Sequence, residues 1–383
     1  MGGKIRILVT EIGSPSSGDE AICIAAANRL TKMGADVTFC YRVDISTSLK
    51  RAGLMIRNVH MPIEERFDDA SDIKRLITAF ANRLPDLHKR LTRLLGEHDM
   101  VMVAPGGKFT EGFNVPRTLL TAATAISMNI PVVILHQSVG PIDNINHRSL
   151  LKEVFSRSTL CLIRDDKSLG FLFDIGVPPD RLLRCRDVAM AENYPPPEDP
   201  EYHLGINIRC GFTGHVNLDV LSRFIRRYKR EHPDNKVIVY STTWNLPENV
   251  VDHLSSLPCE VNKKMPFFPN YLKDIGRCAV NISDSLHGVI FSMMANRPVI
   301  CCQTGLRTWK LEGIHKPGQE PLRIFPGFVT EKDANSIIDY LMNVEDDPEP
   351  LLKQQQQIIE YGKTLCEKGW SAIESLISSS KNQ

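Results

Sequence analysis

Short apolar runs, most of them ending in small or charged residues, alternate along the chain with longer stretches whose apolar positions recur three or four residues apart. The first kind reads as buried strands and the second as helices packed on them. Residues 5–10 form the first run; apolar positions 22, 26, 30 and 33 then predict a helix over 19–33, and 36–41 a second strand. A polar-apolar helical segment over 69–95 is interrupted by Pro85. A strand over 100–104, a small-residue helix over 118–128 and strands over 132–135 and 160–163 follow. Residues 191–201, with Pro195, Pro196, Pro197 and Pro200, read as a linker. After it the alternation restarts: strand 204–208, helix 217–232, strand 236–241, then strand 278–282, helix 286–294 and strand 299–302. Helices over 330–342 and 350–378 close the chain, the last with a packing face at 351, 352, 358, 359, 365, 373, 376 and 377. The pattern predicts an α/β fold of two domains, 1–192 and 193–383, each built of parallel βα units. The last helix is placed to brace the first domain.

Polar groups gather where the runs stop, at the carboxyl ends of the predicted strands. Such ends facing across a cleft would collect Asp19, Lys108, His136, Arg164, Arg209, Ser285 and His287. The stretch Ser283-Asp284-Ser285-Leu286-His287-Gly288 is central. Ser283 and Asp284 are good helix caps, and the backbone N–H groups at a helix start attract anions. Histidine is the side-chain type able to give or take a proton near neutrality. Each candidate also has a plainer reading. Asp19 caps a helix as readily as it faces a ligand, His136 reads equally as a satisfied histidine at a strand end, and Arg164 as half of a pair with Asp165 or Asp166. Pro105-Gly106-Gly107-Lys108 reads as a strand–helix turn with a surface lysine, or as a backbone that approaches a phosphate. Arg307 and Lys310, three apart, would share a helical face.

Several of these stretches resemble, in order, the polysaccharide pyruvyl transferase family. They are Gly18-Asp19-Glu20-Ala21-Ile22, Gly106-Gly107, Ser138-Val139-Gly140-Pro141, Arg164-Asp165-Asp166-Lys167-Ser168 and the central stretch with its apolar helix and Pro298-Val299-Ile300. The resemblance covers most of the chain. It fits two Rossmann-like βα domains facing across a cleft, a GT-B-like arrangement. It implies transfer of a pyruvyl group from phosphoenolpyruvate to two hydroxyls of a sugar or glycan, forming a ketal. His287 would be the general acid and Asp19 would orient a substrate. Arg164 and the N–H groups of Leu286 and His287 would hold the donor. Gly18, Gly106, Gly107, Lys108, His136, Ser138, Arg209 and Ser285 would line the substrate site. No metal or cofactor is implied. One position departs: the family usually carries Arg where this chain has Ser285, and Arg307 and Lys310 are candidates for the missing charge. Two other readings stay open on the same architecture, a nucleotide-sugar-dependent glycosyltransferase and a binding protein without chemistry.

Composition narrows the partners. Hydrophobic residues make up 42% and charged residues 24%, with a formal net charge of +1, so no global field recruits nucleic acid or a membrane. The cysteines form no C-x-x-C pair, which leaves a zinc site without support. The first apolar run is too short for a signal peptide and no run is long enough to span a bilayer, so a cytoplasmic protein with reduced thiols is expected.

Overall fold

A computed structural model describes residues 4–12, 16–41, 46–192, 199–209, 216–242, 245–264, 270–303 and 308–380. The triple proline at 195–197 and Arg307 lie outside them. The chain forms two compact units: Met1–Ser14, Ile22–Ala191 and Gly362–Gln383 make the first, Pro15–Ala21 and Glu192–Tyr361 the second.

The first unit holds strands β1 (Arg6–Ile12), β2 (Asp36–Tyr41), β3 (Arg57–His60), β4 (Met100–Val103), β5 (Gly106–Phe109), β6 (Val132–Val139), β7 (Leu160–Ile163) and β8 (Leu182–Arg184). Their order is β3-β2-β1-β4-β6-β7-β8, with β5 paired to β6 outside that path, and every pairing is parallel. Without the short β5, this is the doubly wound order in which the chain leaves the centre in one direction and returns in the other. Strands β4 and β6 are apolar or buried along their whole length because helices cover both faces. Helix Val115–Ser127 is made of small and apolar residues and is buried over most of its length, as close packing requires. Pro85 splits the predicted long helix as expected: Ile73–Arg83 ends and Pro85–Gly96 begins with the proline at its first position, where a missing N–H costs nothing. The Gly106-Gly107-Lys108 stretch, read as a turn, is strand β5.

The second unit holds β9 (Tyr202–Asn207), β10 (Val237–Tyr240), β11 (Glu260–Val261), β12 (Cys278–Ser283), β13 (Val299–Cys302) and β14 (Ile324–Phe325), in the order β11-β10-β9-β12-β13-β14 and again all parallel. The order reverses between β9 and β12, so a crevice is expected at their carboxyl ends.

Helix Glu349–Ser380 contributes residues from Gly362 onward to the first unit. There Trp370, 1% exposed, packs against His136, the rings tilted by 40° with centroids 5.5 Å apart. His136 sits at an irregularity of β6, between Ile134 and Gln137, with φ at 37°. Its Nδ1 lies 2.7 Å from the Arg186 carbonyl. Burial pushes this imidazole down to about 4, against the pull of the Arg186 carbonyl and Asp187. The ring is therefore neutral in the fold. Between pH 6.5 and about 4 the unfolded chain binds a proton that the folded chain refuses. Stability should fall as pH drops through that window, by up to roughly 3 kcal/mol. Urea unfolding at several pH values checks this. His136→Asn, which tolerates the left-handed backbone, should flatten the slope whatever its absolute stability.

Candidate functional site

The carboxyl ends of β9 and β12 carry the site. Helix Leu286–Met294 starts there, and its N-cap is Ser285 rather than Ser283 or Asp284: φ is −123°, and the side chain accepts from the Gly288 N–H at 3.0 Å. The Ser285 hydroxyl also meets Asn207 Nδ2 at 3.0 Å and Thr242 Oγ1 at 3.1 Å. A hydroxyl has one donor and two acceptor positions, so these bonds use all of them. The Ser285 side chain, expected at the substrate site, holds the turn here. Asn207 Nδ2 also donates to Ser283 Oγ at 2.8 Å. Ser283 Oγ in turn accepts from the Ser285 N–H and donates to the Ser285 carbonyl, each at 3.2 Å. Gly288 is required by this packing, since a Cβ there would lie 2.2 Å from Ser283 Oγ and 2.3 Å from Asn207 Nδ2.

His287, half-buried, follows at the helix's amino end, beside the N–H of Leu286, where the helix partial positive charge concentrates. Its ring lies at 6.0 Å from Phe291, the rings 25° apart. Gly18 packs directly on it: a Cβ at position 18 would sit 2.0 Å from His287 Nδ1. The backbone around Gly18 is anchored by the Ser17 N–H on the Thr242 carbonyl at 3.1 Å and by the Asp19 N–H on Ser16 Oγ at 3.1 Å. Gly18 and Asp19 thus open helix Ser17–Lys32 beside His287, with the Asp19 carboxylate half-exposed. Arg209, at the end of β9, is held through its N–H on Asp284 Oδ2 at 2.8 Å, with Nε 3.6 Å from Oδ1. Burial pushes the Asp284 carboxyl up, and Arg209 opposes the shift. Asn207 and Thr242 were not singled out in the sequence, and Asp284 only as a helix cap. Asn207 was visible as a polar residue inside the apolar run of β9.

Arg164, Ser138, His136, Lys108, Gly106 and Gly107 lie in the first unit. Arg164 is 5% exposed and makes a buried pair with Asp187, Nη1 to Oδ2 at 2.6 Å, while its Nε donates to Ser138 Oγ at 2.7 Å. Ser138 donates to Asp165 Oδ2 at 2.7 Å, and Asp165 caps the next helix through the Ser168 N–H. This network gives Arg164 and Ser138 a structural role, and the partner of Arg164 is Asp187, not Asp165 or Asp166. His136 is fully buried against Trp370, which matches its plainer reading as a satisfied histidine at a strand end. Lys108 is buried and gives its ammonium to the Glu11 carbonyl instead of standing at the surface. Gly106 has room for a side chain, its nearest neighbours being 3.9 Å away, so its glycine serves no close approach within the protein. Gly107 is half-buried on β5. Arg307 falls outside the described residues, and Lys310 lies half-buried on helix Thr308–Glu312. Among the described residues no group of three or more His, Cys, Asp or Glu could hold a metal ion, and no helix is long and apolar enough to cross a membrane.

The family model described as polysaccharide pyruvyl transferase matches residues 17–304. No curated protein sequence matches. Solved structures of the same fold include MnaA of S. aureus with UDP, at 12% identity over 98% of this chain and 97% of that one, TM-score 0.64. UDP-GlcNAc 2-epimerase from Neisseria meningitidis bound to UDP-GlcNAc matches at 13% identity, over 98% and 100%, TM-score 0.62. HepE from Anabaena in complex with UDP and glucose matches at 10% identity, over 98% and 100%, TM-score 0.62. At such identities the likeness concerns the fold, α/β with two Rossmann-like domains of the GT-B-like class.

Proposed function

Since the chain belongs to the polysaccharide pyruvyl transferase family and is a transferase, we propose that it moves a pyruvyl group from phosphoenolpyruvate to hydroxyls of a sugar or glycan, forming a ketal. The observation that carries this reading is His287, held against Gly18 at the amino end of a buried helix where the strand order reverses.

His287 gives a proton to the methylene carbon of the enol ester. A first sugar hydroxyl adds to the resulting cationic carbon and its proton returns to the imidazole; phosphate leaves with the electrons of its C–O bond, and a second hydroxyl closes the ketal as its proton passes to the phosphate. The donor's negative charge is met by the first-turn N–H groups of the helix and by the Arg209 guanidinium, which takes the part the family gives to an arginine at position 285. Asp19, opening the neighbouring helix, orients the acceptor.

The test is incubation with phosphoenolpyruvate and a panel of sugars. Phosphate release together with a product heavier by one pyruvyl ketal is expected. The alternative, transfer from a nucleotide sugar, draws on the same fold carrying UDP and glucose in HepE. Release of nucleoside diphosphate, with no phosphate from phosphoenolpyruvate, would establish that alternative instead.

A further inference from the structure

A groove between helix Leu218–Glu231 and helix Glu331–Asp346, inside the second unit, has no part in the chemistry above. Its volume is about 340 Å³, within the range of small-ligand pockets, and it opens to solvent. Phe224, Ala334 and Ile338 make an apolar floor where the two helices meet. The first helix adds Arg223, Arg226, Arg227 and Arg230, whose spacing of three and four residues puts them on one face. Two of these guanidiniums are engaged. Arg223 pairs with Glu331. Arg227 reaches Glu231 at 3.0 Å, Asn335 Oδ1 at 2.7 Å and Asp339 at 3.5 Å, and so clasps the two helices together. Two further acidic residues of the second helix are also engaged, Asp333 by the Thr330 cap and Glu345 by the Tyr228 hydroxyl. Arg226 and Arg230, one turn apart and both exposed, have no ion-pair or hydrogen-bond partner among the described residues. Arg230 stands in the last turn, where a cation suits the helix dipole; Arg226, in mid-helix, has no such reason to be charged. Like charges four residues apart repel along a helix, and an anion held between them turns that repulsion into attraction.

The chemistry of the proposed product says which anion fits. Glu331, Glu231 and Asp339 nearly balance the four arginines, so the groove exerts little long-range field and its attraction is local, at Arg226 and Arg230. A pyruvyl ketal keeps the carboxylate of the donor and carries it beside a methyl group on the ketal carbon. Transfer therefore turns a neutral sugar into one with a single fixed carboxylate next to a small apolar face. Paired guanidiniums bind a carboxylate with matching geometry, and the floor at Phe224 and Ile338 suits the methyl group and the C–H face of the ring.

We propose that this groove binds the pyruvyl ketal of a modified glycan and so retains the product on the protein. The proposal rests on the reading of the chain as a pyruvyl transferase, and binding tests it apart from turnover. Cyclic pyruvyl ketals of methyl glucoside, galactoside and mannoside are titrated against the full chain by ligand-observed NMR. Their methyl esters serve as uncharged counterparts, and acetate and inorganic phosphate as simple anions. At least one ketal should bind, and its ester about tenfold or more weakly. Arg226→Gln combined with Arg230→Gln should weaken that ketal by about tenfold or more, with the melting temperature unchanged, since neither side chain holds the fold together. Binding at the catalytic site would not respond to these two substitutions. Glu331→Gln removes the one carboxylate of the lining, frees Arg223, and should tighten the ketal by about twofold or more. Failure of every ketal to bind, an ester that binds equally, or unchanged affinity in the double variant overturns the product site. So does acetate or phosphate that binds as tightly as the ketal and responds equally to the double variant, which marks an unselective anion surface. Phosphate release from phosphoenolpyruvate without ketal binding sinks the groove and leaves the transferase reading standing. Ketal binding that depends on Arg226 and Arg230, without phosphate release, supports the groove and sinks the donor assignment alone.

Discussion

His287→Ala is expected to lower kcat for pyruvyl transfer by roughly 10²–10⁴-fold, the range a positioned proton donor contributes. Gly18→Ala should reproduce much of that loss without touching the imidazole chemically. A methyl at position 18 would lie 2.0 Å from His287 Nδ1, so the ring has to swing away from where the reaction needs it. A displacement of that size costs about 10²-fold in rate when orientation matters. The two losses should not add. Alanine at 287 keeps the Cβ, which a methyl at 18 would meet at 2.7 Å, so Gly18→Ala in that background should change kcat no further but still lower stability. Steady-state kinetics and urea unfolding on the four proteins of this cycle read both effects. Full activity in Gly18→Ala would mean that the ring does not work from the place where it is packed.

Arg164→Leu and Asp187→Asn should each destabilise the protein by roughly 3–5 kcal/mol, because each leaves the other member of a buried pair without its partner. Replacing both by apolar residues should recover much of the loss. Chemical unfolding measures the stability, and the KM for phosphoenolpyruvate separates structure from donor binding. Unchanged stability with a large rise in that KM would return Arg164 to the donor site.

Reading these roles from the chain worked where the signal is local. The run from Cys278 to Cys302 shows strand, turn, helix and strand because apolar residues, small polar residues and Asn296-Arg297-Pro298 follow one another in sequence. Helix Leu286–Met294 was legible to the residue. The choice of cap was not: Ser283, Asp284 and Ser285 are all capping types, and Asn207 and Thr242, far off in sequence, decide for Ser285. The partner of Arg164 was not legible because Asp187 lies 23 residues on, beyond any local pattern. The two readings of His136 could not be separated because the ring that covers it, Trp370, arrives from the far end of the chain. Short β5 was hidden since two glycines are poor strand formers, and only pairing with β6 makes them a strand.

Residues 362–380 carry Trp370, Cys366 and Ile373 into the core of the first unit. A ribosome makes them only after the entire second unit. Folding therefore cannot follow synthesis domain by domain: the part translated earliest must wait, with the His136 side uncovered, until the tail emerges. Expression of residues 1–191 alone would leave that wound open.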